Sequence, residues 1–214
     1  MTQHLPLPVP TEEKKVKLLH LSDIHFNQAV MKWALDMSAN VDVMCITGDF
    51  LNDSSSAVTP VDMQVDETLR WLSQLRCDTL LCSGNHDDAE YVSSEWLRSS
   101  GVTLCDSQHA TIKGITFGSV PYGAEAFEKY AACDVLLHHE PPAKLKVARE
   151  KGRDYGSTPL LSALQAGTIS PKWLLCGHVH YPARNISRFR NTLISNPGTN
   201  DRKDNQPSYH MITL

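Results

Sequence analysis

The segment KLLHLSDIH, residues 17–25, joins a short apolar run to a polar end. The run at 17–22 is typical of a buried strand, because a strand covered on both faces carries apolar side chains at most positions. Asp23 and His25 follow directly where that strand would end. The segment therefore predicts a strand that leads into a polar loop, and the same arrangement recurs four times further along the chain.

Strands and helices alternate in the first hundred residues. Apolar runs predict strands at 17–22, 41–47 and 79–82. Apolar side chains spaced three and four apart predict helices at 27–39, 65–75 and 91–99. Such alternation implies right-handed crossovers and a largely parallel sheet.

The pattern changes beyond residue 102. Shorter strands are predicted at 102–105, 111–117, 134–138, 173–176, 191–195 and 209–214. Helices are predicted at 124–132 and 159–166. We expect a single α/β domain over 16–214, with two sheets packed face to face and helices outside, after a flexible proline-rich leader over 1–15.

The composition is that of a folded, water-exposed domain. The 214 residues are 41% hydrophobic and 21% charged, and the formal net charge of −4 argues against broad binding to nucleic acid or anionic membranes. No apolar run approaches the roughly 20 residues of a membrane span, so no membrane association is expected. The six cysteines lack CxxC spacing and the N-terminus lacks a secretory signal pattern, so reduced thiols and a cytoplasmic location are expected.

Polar segments follow five of the predicted strands and hold six of the ten histidines. Carboxyl ends of parallel strands lie along one edge of a sheet, so residues far apart in sequence should meet there. The segments are Asp23-Ile-His25, Gly48-Asp49, Gly84-Asn85-His86-Asp87, His138-His139-Glu140-Pro-Pro142 and Gly177-His178-Val-His180.

These residue types suit divalent cations. Carboxylates and imidazoles with an amide oxygen favour Mn²⁺, Fe or Zn²⁺. Two ligands one residue apart, such as Asp23 and His25, point to the same side of an extended chain, whereas an irregular strand end turns them toward different ions. Glycine at 48, 84 and 177 lets the backbone bend sharply and approach an ion closely.

In this order the five segments resemble the calcineurin-like metallophosphoesterase family, whose pattern is D-x-H, G-D, G-N-H-[DE], H-x-P-P and G-H-x-H. The resemblance runs from about residue 18 to residue 198 and is closest to the small Icc-like prokaryotic branch. Gly156-Ser-x-x-Leu160 and Asn196-Pro-Gly198 also resemble that branch. The resemblance implies a four-layer α/β/β/α sandwich of two mixed sheets flanked by helices.

The resemblance also implies a centre of two divalent metal ions, with Mn²⁺ preferred and Fe or Zn²⁺ as alternatives. A hydroxide shared by the ions would attack phosphorus in line, and His86, which binds neither ion, would stabilise or protonate the leaving-group oxygen. One ion would be held by Asp23, His25, Asp49 and His180. The other would be held by Asp49, Asn85, His139 and His178, with Asp49 bridging the two.

Two further histidines are assigned to structural positions. The family ligand lies two residues before the first proline, which selects His139 and leaves His138 as a packed or hydrogen-bonded neighbour. Adjacent strand residues face opposite ways, which argues against both serving as ligands. His20 lies inside the first strand and is expected to be a hydrogen-bonded core histidine.

The chain departs from many family members at position 52. Many relatives carry Asp three residues after the bridging Asp, where it orients the motif histidine, and here that position is Asn52. Asn52 would hold His86 without supplying charge, which predicts a weaker acid–base partner. The arginines typical of phosphoprotein phosphatases are also missing, which argues against a Ser/Thr protein phosphatase.

The favoured function is hydrolysis of phosphodiesters, with a nucleotide, cyclic nucleotide or nucleic-acid end as substrate. The alternatives are a phosphomonoesterase for small metabolites or nucleotides, and, more remotely, a non-catalytic protein-binding scaffold of the same fold. A basic loop follows the His139 segment and is either a solvated surface loop or a flap that attracts phosphate; it contains Lys144, Lys146, Arg149, Lys151 and Arg153.

Overall fold

The computed structural model describes residues 15–88, 93–201 and 206–214. A first sheet contains the strands β1 Lys17–Leu21, β2 Val43–Thr47, β3 Asp78–Cys82 and β12 His210–Thr213. Their order in space is β12-β1-β2-β3. The first three are parallel, and β12 runs antiparallel to β1 at one edge.

The second sheet is also mixed. Its six strands are β4 Gln108–Ile112, β5 Ile115–Val120, β6 Val135–His138, β9 Trp173–Leu175, β10 Ile186–Phe189 and β11 Thr192–Ser195. They lie in the order β10-β11-β9-β6-β5-β4, and only the two edge strands are antiparallel to their neighbours. A separate hairpin pairs β7 Arg149–Glu150 with β8 Arg153–Asp154.

Three α-helices flank the sheets: α1 Gln28–Met37, α2 Val61–Leu72 and α3 Thr158–Ala166. Short 3-10 helices lie at Ser94–Ser100, Glu128–Tyr130 and Lys146–Ala148. No helix in the described ranges is long and apolar enough to cross a membrane.

Alternation along the strands divides the apolar side chains into three layers. On β2, Val43 and Cys45 face the second sheet, whereas Met44 and Ile46 face α1 and α2. On β6, Leu137 joins the layer between the sheets and Leu136 packs toward α3. The predicted four-layer α/β/β/α sandwich of two mixed sheets is therefore confirmed.

Two contacts fix α1 next to the first polar loop. Asn27 caps the helix, because its Oδ1 accepts from the backbone N–H groups of Ala29 at 3.1 Å and Val30 at 3.2 Å. The indole of Trp71 on α2 donates to the carbonyl of Met31 at 2.8 Å. Since Asn27 lies two residues after His25, the cap also restrains the loop that carries His25.

Three sequence predictions differ from the structure. The helix predicted at 91–99 is the 3-10 helix Ser94–Ser100, with residues 91 and 92 outside the described ranges. The helix predicted at 124–132 is wrong: only the single turn Glu128–Tyr130 forms, because Phe127 and Tyr130 are both buried three residues apart, a spacing that suits a 3-10 turn. The strand predicted at 102–105 is reduced to one bridge between Leu104 and Leu80.

Turns that the sequence did not disclose account for the remaining differences. Lys113 and Gly114, at φ 50° and 81°, form the two-residue turn between β4 and β5, so the strand predicted at 111–117 is two strands of a hairpin. The sequence also missed β10 and the small β7–β8 hairpin. The proposed leader at 1–15 lies outside the described residues except for Lys15.

Candidate metal centre

The five polar segments meet at one edge of the sandwich, where the ends of strands from both sheets lie next to each other. Three segments follow β1, β2 and β3 of the first sheet, and two follow β6 and β9 of the second. Contacts cross between the sheets: His139 Nε2 lies 3.2 Å from Asp49 Oδ2, and His178 Nδ1 lies 2.8 Å from Asn85 Oδ1. The site therefore needs both sheets, whereas the alternation in sequence pointed only to the edge of one.

One group of ligand-type atoms comes from Asp23, His25, Asp49 and His180, and these atoms lie within 4.8 Å of one another. His180 Nε2 is 3.5 Å from Asp23 Oδ1 and 3.1 Å from His25 Nε2. His25 Nε2 is 3.8 Å from Asp49 Oδ2. The structure thus brings together the four residues predicted for the first ion.

A second group shares Asp49 with the first. His139 Nε2 is 3.2 Å from Asp49 Oδ2 and 3.2 Å from Asn85 Oδ1. The same Asn85 oxygen is 2.8 Å from His178 Nδ1. All seven predicted ligands therefore surround one region, with Asp49 at its centre.

Hydrogen bonds on the far side of two imidazoles set which nitrogen faces this region. His139 Nδ1 is 2.7 Å from the Thr47 carbonyl, and His25 Nδ1 is 3.2 Å from the Leu51 carbonyl. Because carbonyl oxygens only accept, each Nδ1 donates, and the neutral ring then directs a lone pair from Nε2 into the site.

Those lone pairs meet other acceptors. His139 Nε2 faces two oxygens that are themselves acceptors, and His25 Nε2 faces a second imidazole nitrogen. Such an arrangement is favourable only when a proton or a cation lies among the acceptors. The donor set therefore fits divalent cations.

Without a bound cation, the shifted pKa values of these side chains indicate which of them carry a proton. Burial opposes the charged form of His139, but the Asp49 carboxylate raises its pKa to about 10. Burial likewise opposes ionisation of Asp49, yet His139 holds the pKa of that carboxyl well below its usual range. Burial, and then His139, lower the pKa of His178 to about 4. A cation that binds here would replace the His139 proton.

Four of the seven predicted ligands have left-handed backbones. The φ angles are 50° at Asp23, 45° at His25, 55° at Asp49 and 67° at His178. Non-glycine residues in this region cost about 1–3 kcal/mol each and persist where the surroundings impose them. The D-x-H segment is therefore an irregular strand end rather than an extended one.

The Asp87 side chain holds part of this left-handed backbone in place, a role that its position in the motif did not predict. Its buried carboxylate accepts from the N–H groups of Asp49, Phe50 and Gly84, each at 2.8 Å. Burial, and then the nearby Asp49, raise the pKa of Asp87 to about 7. Gly84 approaches so closely that a Cβ there would lie 2.2 Å from Asp49 Oδ1. The Leu51 N–H also donates to the Asp87 carboxylate at 3.3 Å. A buried carboxylate with four backbone donors thus ties the β2 loop to the β3 loop.

Two buried asparagines hold the remaining loops. Asn196 Nδ2 donates to the Gly177 carbonyl at 2.8 Å, beside His178. Asn200 Nδ2 donates to the Ser22 carbonyl at 2.8 Å, and its N–H donates to the Asp23 carbonyl at 2.8 Å. The sequence singled out Asn196 as part of a motif but missed Asn200.

His86 lies at the rim, and its carboxylate partner is Asp53 rather than the predicted Asn52. His86 Nδ1 is 2.5 Å from Asp53 Oδ1, and about a third of each side chain is exposed. The Asn52 side chain instead accepts from the N–H of Ser54 at 3.1 Å, which is a contact within its own turn. The Gln64 side chain accepts from the Asn52 N–H and donates to the Asn52 carbonyl. The expectation that position 52 leaves His86 without a charged partner is wrong.

The two histidines assigned to structural positions are both buried. His138 packs edge-on against Phe127 with ring centroids 5.7 Å apart, and neither ring nitrogen has a hydrogen-bond partner among the described residues. His20 is hydrogen-bonded to Ser195 Oγ at 2.8 Å and Thr47 Oγ1 at 3.0 Å, as expected for a core histidine.

An open pocket of about 290 Å³ lies in front of the ligand cluster. It is lined by Asp49, Asn85, His86, Glu150, Tyr155, His178, Val179 and His180. Among the residues that the structure describes, no lysine or arginine lines it. Of the basic loop, Arg149 instead lies 3.9 Å from Asp154, and Lys151 is 86% exposed. This placement favours the surface-loop alternative over the phosphate-attracting flap.

The sequence matches the family model of the calcineurin-like phosphoesterases over residues 16–182. The chain therefore belongs to the calcineurin-like phosphoesterase family, a class of metal-dependent phosphoester hydrolases, and the resemblance seen in its motifs is confirmed. No protein of curated function matches the sequence significantly.

Solved structures with little sequence identity share the fold. TT1561 of Thermus thermophilus is 14% identical, with a TM-score of 0.64 over 93% of this chain and 98% of that one. An archaeal phosphodiesterase is 17% identical, with a TM-score of 0.50 over 92% and 99%. GAP50, the anchor in the inner membrane complex of Plasmodium, is 10% identical, with a TM-score of 0.51 over 87% and 72%. These likenesses show the fold alone.

Proposed function

We propose that this protein is a phosphodiesterase that works with two divalent metal ions on nucleotide or cyclic-nucleotide substrates. The observation that supports the proposal most strongly is the convergence of the six other predicted ligands, from four further loops, around Asp49. His86 lies beside them in the same open pocket. The fold by itself does not separate an enzyme from an anchor such as GAP50, so the argument depends on the site.

The assignment of ligands follows the two groups of atoms. Asp23, His25, Asp49 and His180 would hold one ion. Asp49 would also contribute to the second ion, together with Asn85, His139 and His178. When bound, such a pair supplies Lewis acidity and lowers the pKa of the water that attacks phosphorus. Mixed carboxylate, amide and imidazole ligands favour Mn²⁺, with Fe or Zn²⁺ as alternatives.

The chain's own acid–base group in this proposal is His86. Asp53 holds its Nδ1, which leaves Nε2 as the ring nitrogen free to meet the leaving-group oxygen. The carboxylate fixes the orientation of the ring and the position of its Nδ1 proton. Asp53 therefore acts as a positioning residue for His86.

We further propose that diesters are preferred to monoesters. A phosphomonoester carries a charge of about −1.5 to −2 at neutral pH, and proteins commonly recognise such groups with arginine. The described lining of this pocket contains neither arginine nor lysine. A substrate with a single negative charge matches that lining better.

A cytoplasmic location is proposed from the thiols. All six cysteines are free, and every one except the half-buried Cys77 is buried. Burial raises the pKa of the Cys45 and Cys82 thiols well above the usual value. Unreactive reduced thiols are typical of proteins in a reducing compartment.

The function is tested by comparing a bis-aryl phosphodiester with the matching aryl monoester in the presence of Mn²⁺. We expect the diester to have the higher kcat/KM. If the monoester is the better substrate, the diester preference is wrong and the phosphoesterase assignment stands. If neither ester is hydrolysed although two ions bind, the enzymatic proposal is wrong.

A further inference from the structure

We infer that Glu150 selects substrates by charge, admitting phosphodiesters and disfavouring phosphomonoesters through repulsion of their second negative charge. This inference rests on the proposed phosphoesterase function and assigns the substrate preference to one residue.

The backbone fixes Glu150 in the wall of the pocket. Glu150 ends β7, and the carbonyl of the preceding Arg149 accepts from the Ala183 N–H at 2.8 Å. Glu150 Oε2 itself accepts from the Tyr181 N–H at 3.2 Å, next to His180. The side chain is only 19% exposed. The carboxylate is therefore held on the loop that carries His180, rather than free to swing into solvent.

The charge of Glu150 is poorly compensated. Lys151 Nζ lies 3.6 Å from Oε1, but the Lys151 side chain is 86% exposed. Water screens such a pair, so it offsets little of the carboxylate's field inside the pocket. Asp49, the other acidic group in the lining, is engaged with His139 and His25. Of the two acidic side chains in the described lining, Glu150 is therefore the one whose charge can repel an incoming anion.

Repulsion of this kind distinguishes esters by charge rather than by shape. Two like charges several ångströms apart in a partly desolvated pocket, at an effective dielectric constant near 20, disfavour binding by roughly 5- to 50-fold. A monoester carries about half to one more negative charge than a diester, so Glu150 disfavours it more strongly, by up to that factor relative to the diester. Rejecting the wrong ligand by an unfavourable contact is an established route to specificity.

The test compares Glu150→Gln with the wild-type protein and with Glu128→Gln, which neutralises an exposed glutamate that does not line the pocket. Glutamine still accepts from the Tyr181 N–H, so the hairpin should keep its place. We expect Glu150→Gln to raise kcat/KM for both esters, and to raise the ratio of the monoester value to the diester value up to about tenfold. Raising the salt concentration should narrow the difference.

Binding of inorganic phosphate to the Mn²⁺-loaded protein, measured by calorimetry, gives a readout that does not depend on turnover. Glu150→Gln should bind phosphate about tenfold more tightly than the wild type and Glu128→Gln, and Glu150→Asp should restore weaker binding. Unchanged phosphate affinity and an unchanged ratio of ester rates in Glu150→Gln would overturn the inference. If the wild type hydrolyses neither ester, the function fails, but the phosphate titration still decides the role of Glu150.

Discussion

The sandwich contains two histidine clusters, and the hydrogen-bond partners of the ring nitrogens differ between them. In the interior, His20 places one ring nitrogen against Ser195 Oγ and the other against Thr47 Oγ1. Ser195 Oγ also lies 2.7 Å from His210 Nδ1. A hydroxyl both donates and accepts, so neutral imidazoles are satisfied without any ion.

At the edge of the sandwich, imidazole nitrogens meet carboxylate oxygens, an amide oxygen and one another. His25 and His180 approach through their Nε2 atoms at 3.1 Å, and His139 Nε2 faces Asp49 and Asn85. Because His139 Nδ1 already donates to the Thr47 carbonyl, its Nε2 can meet these two acceptors only with a second proton on the ring or with a cation between them. The difference teaches that the partners of a histidine, rather than its burial, distinguish a structural cluster from a metal-binding one.

The largest expected effect comes from removing the residue shared by both groups of ligands. Asp49→Ala should lower turnover to the uncatalysed background, because both ions lose a ligand and the cluster loses its central charge. Turnover of the diester and bound Mn²⁺ per chain are the measurements. Asp36→Ala, which removes an exposed carboxylate on α1, is the matched control and should retain both. Wild-type turnover in Asp49→Ala would show that the edge cluster is not the reaction site.

His86→Ala separates catalysis from metal binding at the same edge. His86 is not among the seven ligands, so metal content should stay at the wild-type value. Turnover should fall by roughly 10²–10⁴, which is the usual contribution of a positioned proton donor. Loss of metal in this variant would instead place His86 among the ligands, and an unchanged rate would remove it from the reaction.

Asp53→Asn tests whether Asp53, rather than Asn52, is the partner of His86. We expect kcat to fall about tenfold with KM and metal content unchanged, since the group acts on His86 and not on the ions. Asn52→Ala is the matched control and should stay near wild type, because among the described residues that side chain accepts from the Ser54 N–H of its own turn rather than from His86. The reverse ranking of the two variants would restore Asn52 as the partner of His86.

The smallest effect concerns the interior cluster and is a pH dependence of stability. Burial, and then His210, hold the pKa of His20 well below 6.5, so the folded protein keeps this ring neutral while the unfolded chain protonates it. Stability from this group is complete above pH 6.5 and falls by about 1.4 kcal/mol per pH unit below that, until the folded pKa is reached.

His20→Gln removes this titration. Denaturant unfolding of the metal-free protein between pH 7 and pH 5 should therefore show a shallower acid loss in the variant, whatever its stability at pH 7. Parallel curves for the two proteins would mean that His20 is charged in the folded state.

Sequence was sufficient wherever a local pattern determined the outcome. The strands before each polar segment, the helix that follows Asn27, and the hydrogen-bonded His20 were predicted. Family spacing favoured His139 over His138, and only His139 faces the cluster.

Sequence failed where a tertiary contact decided the outcome. Asp53 reaches His86 because Gln64 and a local turn hold Asn52 elsewhere, and Gln64 lies on a different element. Asp87 acts through four backbone N–H groups, and backbone contacts cannot be recognised in a sequence. Glu150 could not be placed from the sequence either. It lines the pocket because it lies in a hairpin of two short strands, β7 and β8, which are too short to be predicted from residue propensities.

The most direct test of the two-ion centre is the number of Mn²⁺ ions bound per chain at equilibrium, measured by dialysis followed by elemental analysis. We expect two ions for the wild type and one for Asn85→Ala, which removes a ligand from one group of atoms and leaves the other intact. No bound ion at saturating Mn²⁺, or equal content in the two proteins, would contradict the claim that the edge cluster holds a pair of cations.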